Sequence, residues 1–265
     1  MTTTALSIPD SNWNMWVEAV ADTRYIRHLE VPAELVLSGD AALSETAAQS
    51  GLRVSFVRDL VAPEAARNAT ELADAPRHEL IGNLCSRIKC AGDYGVSLGT
   101  LDVGVGNIPA ENPEKELARR VQFLRRLMPA AAEAEVTIAL PARYPPAYPG
   151  ARQWENVGNI IHEVMHPECK FAVDVFPAEL PPDFDIPQFL RQCGYQMGVV
   201  RFNYEPLLGE GFEPGQDELW ARALQRHAFR GGVVFRPRNV ESEEAVKRVC
   251  TTADRWANTF WNVFK

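Results

Sequence analysis

The 265-residue sequence lacks the features that define several protein classes. It has no surplus of positive charge, because 27 Lys and Arg stand against 35 Asp and Glu and give a formal net charge of −8. Such a chain has no global field that attracts phosphate backbones or anionic lipid, so we expect no nucleic-acid partner and no membrane partner. No apolar run reaches the roughly 18 residues of a spanning helix. The N-terminus has no basic segment followed by an apolar one, and we therefore expect a cytoplasmic protein.

Disulfide and nucleophile signals are also scarce. The five cysteines are irregularly spaced without a Cys-x-x-Cys pair, which is typical of reduced structural thiols rather than of a disulfide framework. They are Cys85, Cys90, Cys169, Cys193 and Cys250. No Gly-x-Ser-x-Gly elbow and no Walker-type phosphate loop is present, so the usual signals of serine hydrolases and of nucleotide-phosphate binding are missing.

The sequence does contain a regular alternation of short β-rich runs with longer amphipathic stretches, which is typical of βα units around a parallel sheet. Eight strands are predicted: Ala5–Ile8, Tyr25–Val31, Arg53–Arg58, Val96–Val103, Val136–Pro141, Lys170–Phe176, Gly198–Asn203 and Gly232–Arg236. No linker divides the chain. Eight strands in about 250 residues favour a closed (β/α)₈ barrel, a TIM barrel, as one domain over residues 1–265.

Helical patterns separate these strands. They cover Trp13–Asp22, Leu80–Ala91, Pro113–Ala134, Gln153–Met165, Ile186–Cys193, Asp217–Ala228 and Glu243–Phe264. Ser242 is a candidate N-cap for the last helix, whose apolar positions recur at helical spacing. Its aromatic residues are interpreted as core, and a subunit interface is the functional alternative. They are Trp256, Phe260, Trp261 and Phe264.

The stretch that ends at Asp174, ENVGNIIHEVMHPECKFAVD, resembles the helix, turn and metal-binding strand of the xylose isomerase-like family. Leu29-Glu30-Val31 is similar to the family's second strand, which ends in a glutamate. The family includes sugar isomerases, sugar-phosphate epimerases and an apurinic endonuclease branch. The resemblance extends over nearly the whole chain as a βα rhythm. It implies a TIM barrel that isomerises or epimerises a sugar or sugar phosphate, often as a homo-oligomer.

The resemblance also implies a divalent metal, held by a glutamate on the fifth strand, an aspartate on the sixth, a histidine on the seventh and a glutamate on the eighth. Only Asp174 matches this set. The fifth strand has Pro141, the seventh offers Arg201 or Asn203, and the eighth offers Arg236. Because guanidinium has a permanent positive charge and no lone pair for a metal, we predict no metal site and no cofactor. A shifted alignment of the ligand positions would restore a divalent metal.

Strand parity predicts where these side chains point. If Phe171, Val173 and Val175 face the helices, Asp174 faces the barrel axis. The same alternation turns Arg201, Asn203 and Arg236 inward, and Arg143 and Arg238 follow at strand ends. The active-site end of such a barrel is the carboxyl-terminal end of its strands, so we expect an arginine-rich mouth there.

Two interpretations of this mouth remain open. Arginine forks bind a carboxylate or phosphate with bidentate hydrogen bonds, which predicts an anionic sugar derivative as ligand. Alternatively, the arginines pair with carboxylates such as Asp174, Glu205 or Asp102 and close the mouth with ion pairs.

The first interpretation assigns substrate binding to Arg143, Arg201, Asn203, Arg236 and Arg238. Isomerisation also needs an acid/base pair beside a carbon acid, and Glu30 and Asp174 are the predicted catalytic carboxylates. The arginines would stabilise the developing enolate charge in place of a metal. The alternative is a non-catalytic barrel that acts as a ligand-binding or interaction protein.

Three further motifs compete with this interpretation. His162, Glu163 and His166 spell His-Glu-x-x-His, a zinc-peptidase pattern, but Pro167 disfavours helical geometry at His166. We interpret these histidines as a coincidental surface pair. The stretch from Gly104 to Pro109 begins like a dinucleotide loop but lacks the third glycine, so a plain turn or a substrate-facing loop is expected. His28 shares strand parity with Glu30, which allows an acid/base pair or a buried structural pair.

Overall fold

A computed structural model describes residues 2–38, 42–62, 65, 74–104, 112–145, 153–193 and 196–265. Eight parallel strands close into a barrel in sequence order, which confirms the predicted (β/α)₈ architecture. The strands are β1 Thr3–Ser7, β2 His28–Pro32, β3 Arg53–Arg58, β4 Leu98–Thr100, β5 Thr137–Tyr144, β6 Cys169–Val175, β7 Met197–Tyr204 and β8 Gly232–Pro237. The barrel closes where β1 pairs with β8 in register Ala5 to Val234.

Helices follow the strands along the chain. They are α1 Trp13–Ala21, α2 Ala33–Leu37, α3 Ala42–Gln49, α4 Asp74–Asp93, α5 Pro113–Glu133, α6 Gln153–Val164, α7 Ile186–Cys193, α8 Gln216–Arg226 and α9 Glu243–Phe264. Short 3₁₀ turns follow β6 at Pro177–Glu179 and β7 at Pro206–Leu208. The sequence did not predict α2 and α3. None of the helices in the described part of the chain is long and apolar enough to cross a bilayer.

The chain forms two compact units. The first consists of Met1–Val31, Ala41–Val54 and Val173–Lys265, and the second of Pro32–Asp40 and Ser55–Ala172. The assignment of residues 1–265 to one domain stays a prediction.

The first unit has an aromatic core outside its strands. Phe202 on β7 packs edge-on against Trp220 of α8, with ring centroids 5.2 Å apart, and lies 5.9 Å from the ring of Phe260. Phe235 on β8 packs against Trp256 of α9 at 5.7 Å. All five rings are buried, and the predicted core role of the α9 aromatics Trp256 and Phe260 is confirmed.

The last helix begins as predicted. The backbone N–H of Ala245 donates to the Ser242 hydroxyl at 3.2 Å, so Ser242 is the N-cap. Trp261 of this helix is 45% exposed, so its predicted core role is wrong, and the alternative of a subunit interface stays a prediction.

In the second unit, Phe171 on β6 stacks on Trp154 of α6 with centroids 4.8 Å apart, so Phe171 faces the helices. Gly99 on β4 is required for close packing, because a Cβ there would lie 2.8 Å from the Leu60 side chain. Packing of β6 against α6, and of β4 against Leu60, therefore stabilises the second unit.

All five cysteines are free thiols, as predicted. Burial raises the pKa of Cys169, Cys193 and Cys250 to about 12. Because the thiolate is the reactive form, these three side chains act as small apolar groups and not as nucleophiles.

Candidate functional site

Charged side chains gather at the carboxyl-terminal ends of β2, β6, β7 and β8, all within the first compact unit. We call this set the inward polar cluster. Its members are Glu30, Asp174, Arg201, Asn203, Arg236 and Arg238. In TIM barrels this end of the strands is where the binding and catalytic groups lie.

Strand alternation explains why these residues point inward. On β7, Phe202 packs against α8 and α9, and therefore Arg201 and Asn203 on either side of it face the other way. On β8, Phe235 packs against α9, and Arg236 turns inward next to it. The predicted parity is confirmed for these positions.

Glu30 and Arg201 form the deepest part of the cluster. The Arg201 Nε donates to the Glu30 Oε1 at 2.6 Å, and Arg201 is 2% exposed and Glu30 0% exposed. An isolated charge at this depth would be very costly, so each partner stabilises the other in its ionised form. A group that is fully buried and bound to arginine does not contact a ligand in this geometry. The structure favours an anchoring role for Glu30, and its catalytic role stays a prediction.

Asp174 is more exposed to solvent than Glu30 and Arg201. Its Oδ1 accepts a hydrogen bond from the Asn203 Nδ2 at 3.1 Å. The Arg201 Nη1 lies 3.7 Å from its Oδ2 and the Arg236 Nη1 lies 3.7 Å from its Oδ1. The side chain is 15% exposed. Asp174 is therefore a carboxylate that is oriented by an amide, flanked by two cations and still open to a ligand.

Arg236 and Arg238 form the outer part of the cluster and are 34% and 39% exposed. The Arg238 Nη2 lies 3.7 Å from Glu210 and 3.9 Å from Glu205, and its guanidinium stacks over the Phe176 ring at 5.1 Å. The Arg238 Nε is buried and has no hydrogen-bond partner among the described residues.

The predicted ion pairs with Asp174 and Glu205 are thus present, and both involve arginines of the mouth. The Asp102 Oδ1 accepts a hydrogen bond from the backbone N–H of Gly104 at 2.8 Å, and the predicted pairing of Asp102 with an arginine stays a prediction. Two contacts of the mouth were missed from the sequence: Glu210 and Phe176. Both follow the end of a barrel strand, which is the signal that could have identified them.

Arg143 lies near the end of β5 in the second compact unit and is half-buried. Its assignment to substrate binding stays a prediction.

The residues of the cluster do not fit the divalent metal that the family resemblance implies. Asp174 is the matching ligand, and two guanidinium groups lie within 4 Å of its two oxygens, where they would repel a metal cation. Among the residues that the structure describes, no three His, Cys, Asp or Glu side chains are placed to hold a metal ion. We therefore derive no chemical step through a metal.

The competing motifs fall elsewhere. α6 ends at Val164, so His162 and Glu163 are helical but His166 is not, and the zinc-peptidase spacing on one helical face is not formed. Instead, the His166 Nδ1 accepts from the backbone N–H of Glu168 at 3.2 Å. The segment from Val105 to Pro109 lies outside the described residues.

His28 begins β2, two residues before Glu30. It lines a cavity of about 450 Å³ together with residues of β1 and of the end of α9, including Phe260 and Phe264. Burial, and next the positive charge of Arg53, lower the pKa of His28 below its ordinary value of 6.5. His28 is therefore neutral at neutral pH, and its predicted acid/base role with Glu30 stays a prediction.

No family model matches this sequence, and no curated protein matches it. Solved structures do match in fold. D-psicose 3-epimerase from Clostridium cellulolyticum H10, solved with D-tagatose, aligns with a TM-score of 0.75 at 15% identity over 99% of both chains. A 3-keto-D-glucoside 4-epimerase from E. coli aligns with a TM-score of 0.69 at 12% identity, over 96% of this chain and 99% of that one. A xylose isomerase domain protein from Alicyclobacillus acidocaldarius aligns with a TM-score of 0.67 at 13% identity, over 98% of this chain and all of that one.

Proposed function

Because the chain has the fold of the xylose isomerase-like barrels, we propose that it binds an anionic sugar derivative, a sugar acid or sugar phosphate, at the inward polar cluster. The neighbours in fold are sugar epimerases and isomerases, which supports a sugar as the ligand class. The charge of the ligand is inferred from the arginines of this chain.

The proposal depends on the exposure and the loose ion pairs of the two outer arginines. Arg236 and Arg238 are about one third exposed, and their nearest carboxylate oxygens lie 3.7 to 3.9 Å away. These distances exceed the 2.7–3.2 Å of a hydrogen bond, so the ion pairs are loose. A ligand carboxylate or phosphate that approaches this rim would form the shorter, bidentate bonds that a guanidinium fork prefers.

Asp174 supplies the base for chemistry on such a ligand. Its carboxylate would take the proton from the carbon next to the sugar carbonyl, and the exposed neighbour Arg236 would stabilise the negative charge on the enolate oxygen. A single base can return that proton to the former carbonyl carbon on the same face of the sugar, once the hydroxyl proton on the first carbon has moved to the enolate oxygen and left a new carbonyl there. Isomerisation between an aldose and a ketose therefore needs fewer groups than epimerisation, which requires a second proton donor on the opposite face.

A second candidate function is ligand binding without turnover. The burial of Glu30 favours it, because Glu30 is the other predicted catalytic carboxylate and it is bound to Arg201 at 0% exposure. Among the described members of the cluster, Asp174 is then the carboxylate that reaches a ligand. The cluster would hold and orient an anionic sugar as a binding protein does.

Ligand binding is tested by thermal shift with sugar acids, sugar phosphates and their uncharged parent sugars. We expect anionic ligands to raise the melting temperature of the wild-type protein. Arg236→Gln and Arg238→Gln should each weaken binding about tenfold or more, since a hydrogen bond to a charged group contributes about 1.5–3 kcal/mol. Arg222→Gln is the matched control, because Arg222 pairs with Glu218 on the exposed face of α8. No shift with any anion would contradict the proposal.

Turnover is tested with the ligands that bind. Incubation in deuterium oxide, followed by proton NMR, detects exchange of the carbon-bound proton even when the equilibrium favours substrate. An enzyme should incorporate deuterium, and Asp174→Asn should abolish the exchange while the variant still folds. Binding without exchange in the wild type would favour the second candidate function.

A further inference from the structure

Arg201 and Glu30 form a buried ion pair at the base of the inward polar cluster. We infer that the Arg201 guanidinium is a built-in cation, which anchors Glu30 and balances the charge of Glu30 and Asp174 in the way that a bound cation would otherwise do. This role does not depend on the proposed ligand or on turnover.

The geometry is that of one cation between two carboxylates. The Nε edge of Arg201 bonds Glu30 on β2 at 2.6 Å, and the Nη1 lies 3.7 Å from Asp174 on β6. Arg201 itself comes from β7. One side chain thus links three strands of the first compact unit, at 2% exposure.

The chemistry of the guanidinium suits this position. Its charge is permanent, so the site is occupied at every pH at which the protein folds, and its planar fork offers donors to two acceptors at once. A bound ion would leave the site by mass action, whereas a covalently attached cation does not. The charges of Glu30 and Asp174 are therefore balanced without any solution component.

A variant that lacks the Arg201 side chain should be able to bind a cation from solution in its place. Truncation of Arg201 would leave two carboxylates facing one buried space that is shaped for a guanidinium group. Such a space should accept free guanidinium ion from solution. Because its donors are carboxylate oxygens, it should also accept a hard divalent cation such as Mn²⁺.

The test is the melting temperature of Arg201→Ala with guanidinium chloride at low millimolar concentration, compared with urea and with sodium chloride at equal ionic strength. Urea is the matched control, because it has nearly the shape of guanidinium but no charge. We expect guanidinium to raise the melting temperature of Arg201→Ala by about 3 °C or more, while urea and sodium chloride do not. Mn²⁺ should also raise it, and addition of a chelator should reverse that rise. The double variant Glu30→Gln with Arg201→Ala should lose both responses.

If Arg201→Ala does not fold, the pair Arg201→Lys and Arg201→Gln tests the same inference. Both replacements are long and polar, but only lysine retains the charge. We expect Arg201→Lys to keep a clearly higher melting temperature than Arg201→Gln. Equal melting temperatures would show that shape and not charge matters here, and would overturn the inference.

Two other results would also overturn it. One is an equal response of Arg201→Ala to guanidinium and urea. The other is stoichiometric Mn²⁺ binding by the wild-type protein that is lost in Asp174→Asn, since the wild-type site should already be filled. None of these measurements uses a sugar, so failure here leaves the proposed function standing, and a protein without a sugar ligand leaves this inference standing.

Discussion

Adjacent residues of β7 and β8 face two different environments, an apolar one outside the barrel and a polar one inside it. Outward, Phe202 and Phe235 pack into an aromatic layer with α8 and α9. Inward, Arg201, Asn203 and Arg236 form charged and polar contacts with Asp174, and Arg201 also binds Glu30. The interior of a TIM barrel is usually filled by branched apolar side chains. Here the apolar layer outside the strands holds the first unit together, and the polar layer inside contains the proposed site.

The stability of the protein should respond differently when a side chain is truncated on one face or on the other. Aromatic packing is non-directional, so a truncation costs in proportion to the area and cavity involved. A buried ion pair contributes little net stability, but the loss of one partner leaves a charge without compensation. The outer face should therefore show large effects for large truncations, and the inner face large effects for small chemical changes.

The largest effect is expected on the outer face. Trp220 is 0% exposed and contacts the rings of Phe202 and Phe189. Trp220→Ala should lower the free energy of unfolding by about 4 kcal/mol, as measured by urea denaturation. The neighbouring Leu219 is 61% exposed, and Leu219→Ala is the control, with a change below about 0.5 kcal/mol. A similar loss in both variants would show that the aromatic layer does not hold the unit.

The inner face should respond almost as strongly to the loss of one charge. Arg201→Leu keeps an aliphatic side chain but leaves Glu30 buried, so unfolding free energy should fall by about 3 kcal/mol. Adding Glu30→Gln should restore part of that loss, because the uncompensated charge is then gone. Arg222→Leu on the exposed face of α8 is the control and should change stability by less than about 0.5 kcal/mol. If Arg201→Leu left the free energy of unfolding unchanged, the inner face would not be sensitive to the loss of one charge, and the proposed difference between the two faces would be wrong.

A smaller effect of opposite sign is expected where a polar atom lies in the apolar layer. Tyr204 is 1% exposed and packs against Trp256, and its hydroxyl has no hydrogen-bond partner among the described residues. Burial raises the pKa of Tyr204 well above its ordinary value. Tyr204→Phe removes the unsatisfied hydroxyl and should raise the unfolding free energy by about 1 kcal/mol. A loss of stability instead would reveal a partner for the hydroxyl, such as a bound water.

The smallest effect concerns pH and the start of β2. The pKa of His28 is lowered in the folded protein, so the unfolded chain binds more protons just below pH 6.5. The stability that neutral His28 contributes is present above pH 6.5 and is lost as the pH falls through the lowered pKa. His28→Gln should therefore flatten the fall in melting temperature between neutral and mildly acidic pH. An unchanged pH profile would show that His28 does not titrate in this range.

Much of the fold follows from local pattern. The bounds of β3, Arg53–Arg58, and of the last helix, Glu243–Phe264, agree with the pattern, because alternation and the Ser242 cap are local signals. The inward parity of Arg201 and Arg236 follows from the same alternation. The short helices α2 and α3 were missed because Ala33–Leu37 covers little more than one helical turn and Ala42–Gln49 only about two, too few residues for a periodic pattern to emerge.

The partners within the site could not be predicted in the same way. Arg201 and Glu30 are separated by 171 positions in the sequence, and only closure of the barrel brings them together. The sequence predicts a catalytic role for Glu30 because this residue lies near the end of a strand. The buried guanidinium partner favours an anchoring role, and the catalytic role stays a prediction. Likewise, the stacking of Arg238 over Phe176 joins the ends of two different strands.

The proposed selectivity of the barrel mouth for anionic sugars depends on Arg236 and Arg238. It can be measured by calorimetric titration with a matched pair of ligands, a sugar acid and the uncharged alditol of the same chain length and configuration. We predict a Kd at least about tenfold lower for the acid, because each charged hydrogen bond contributes about 1.5–3 kcal/mol. Equal affinity for the two ligands, or tighter binding of the alditol, would show that the arginines do not select an anionic sugar.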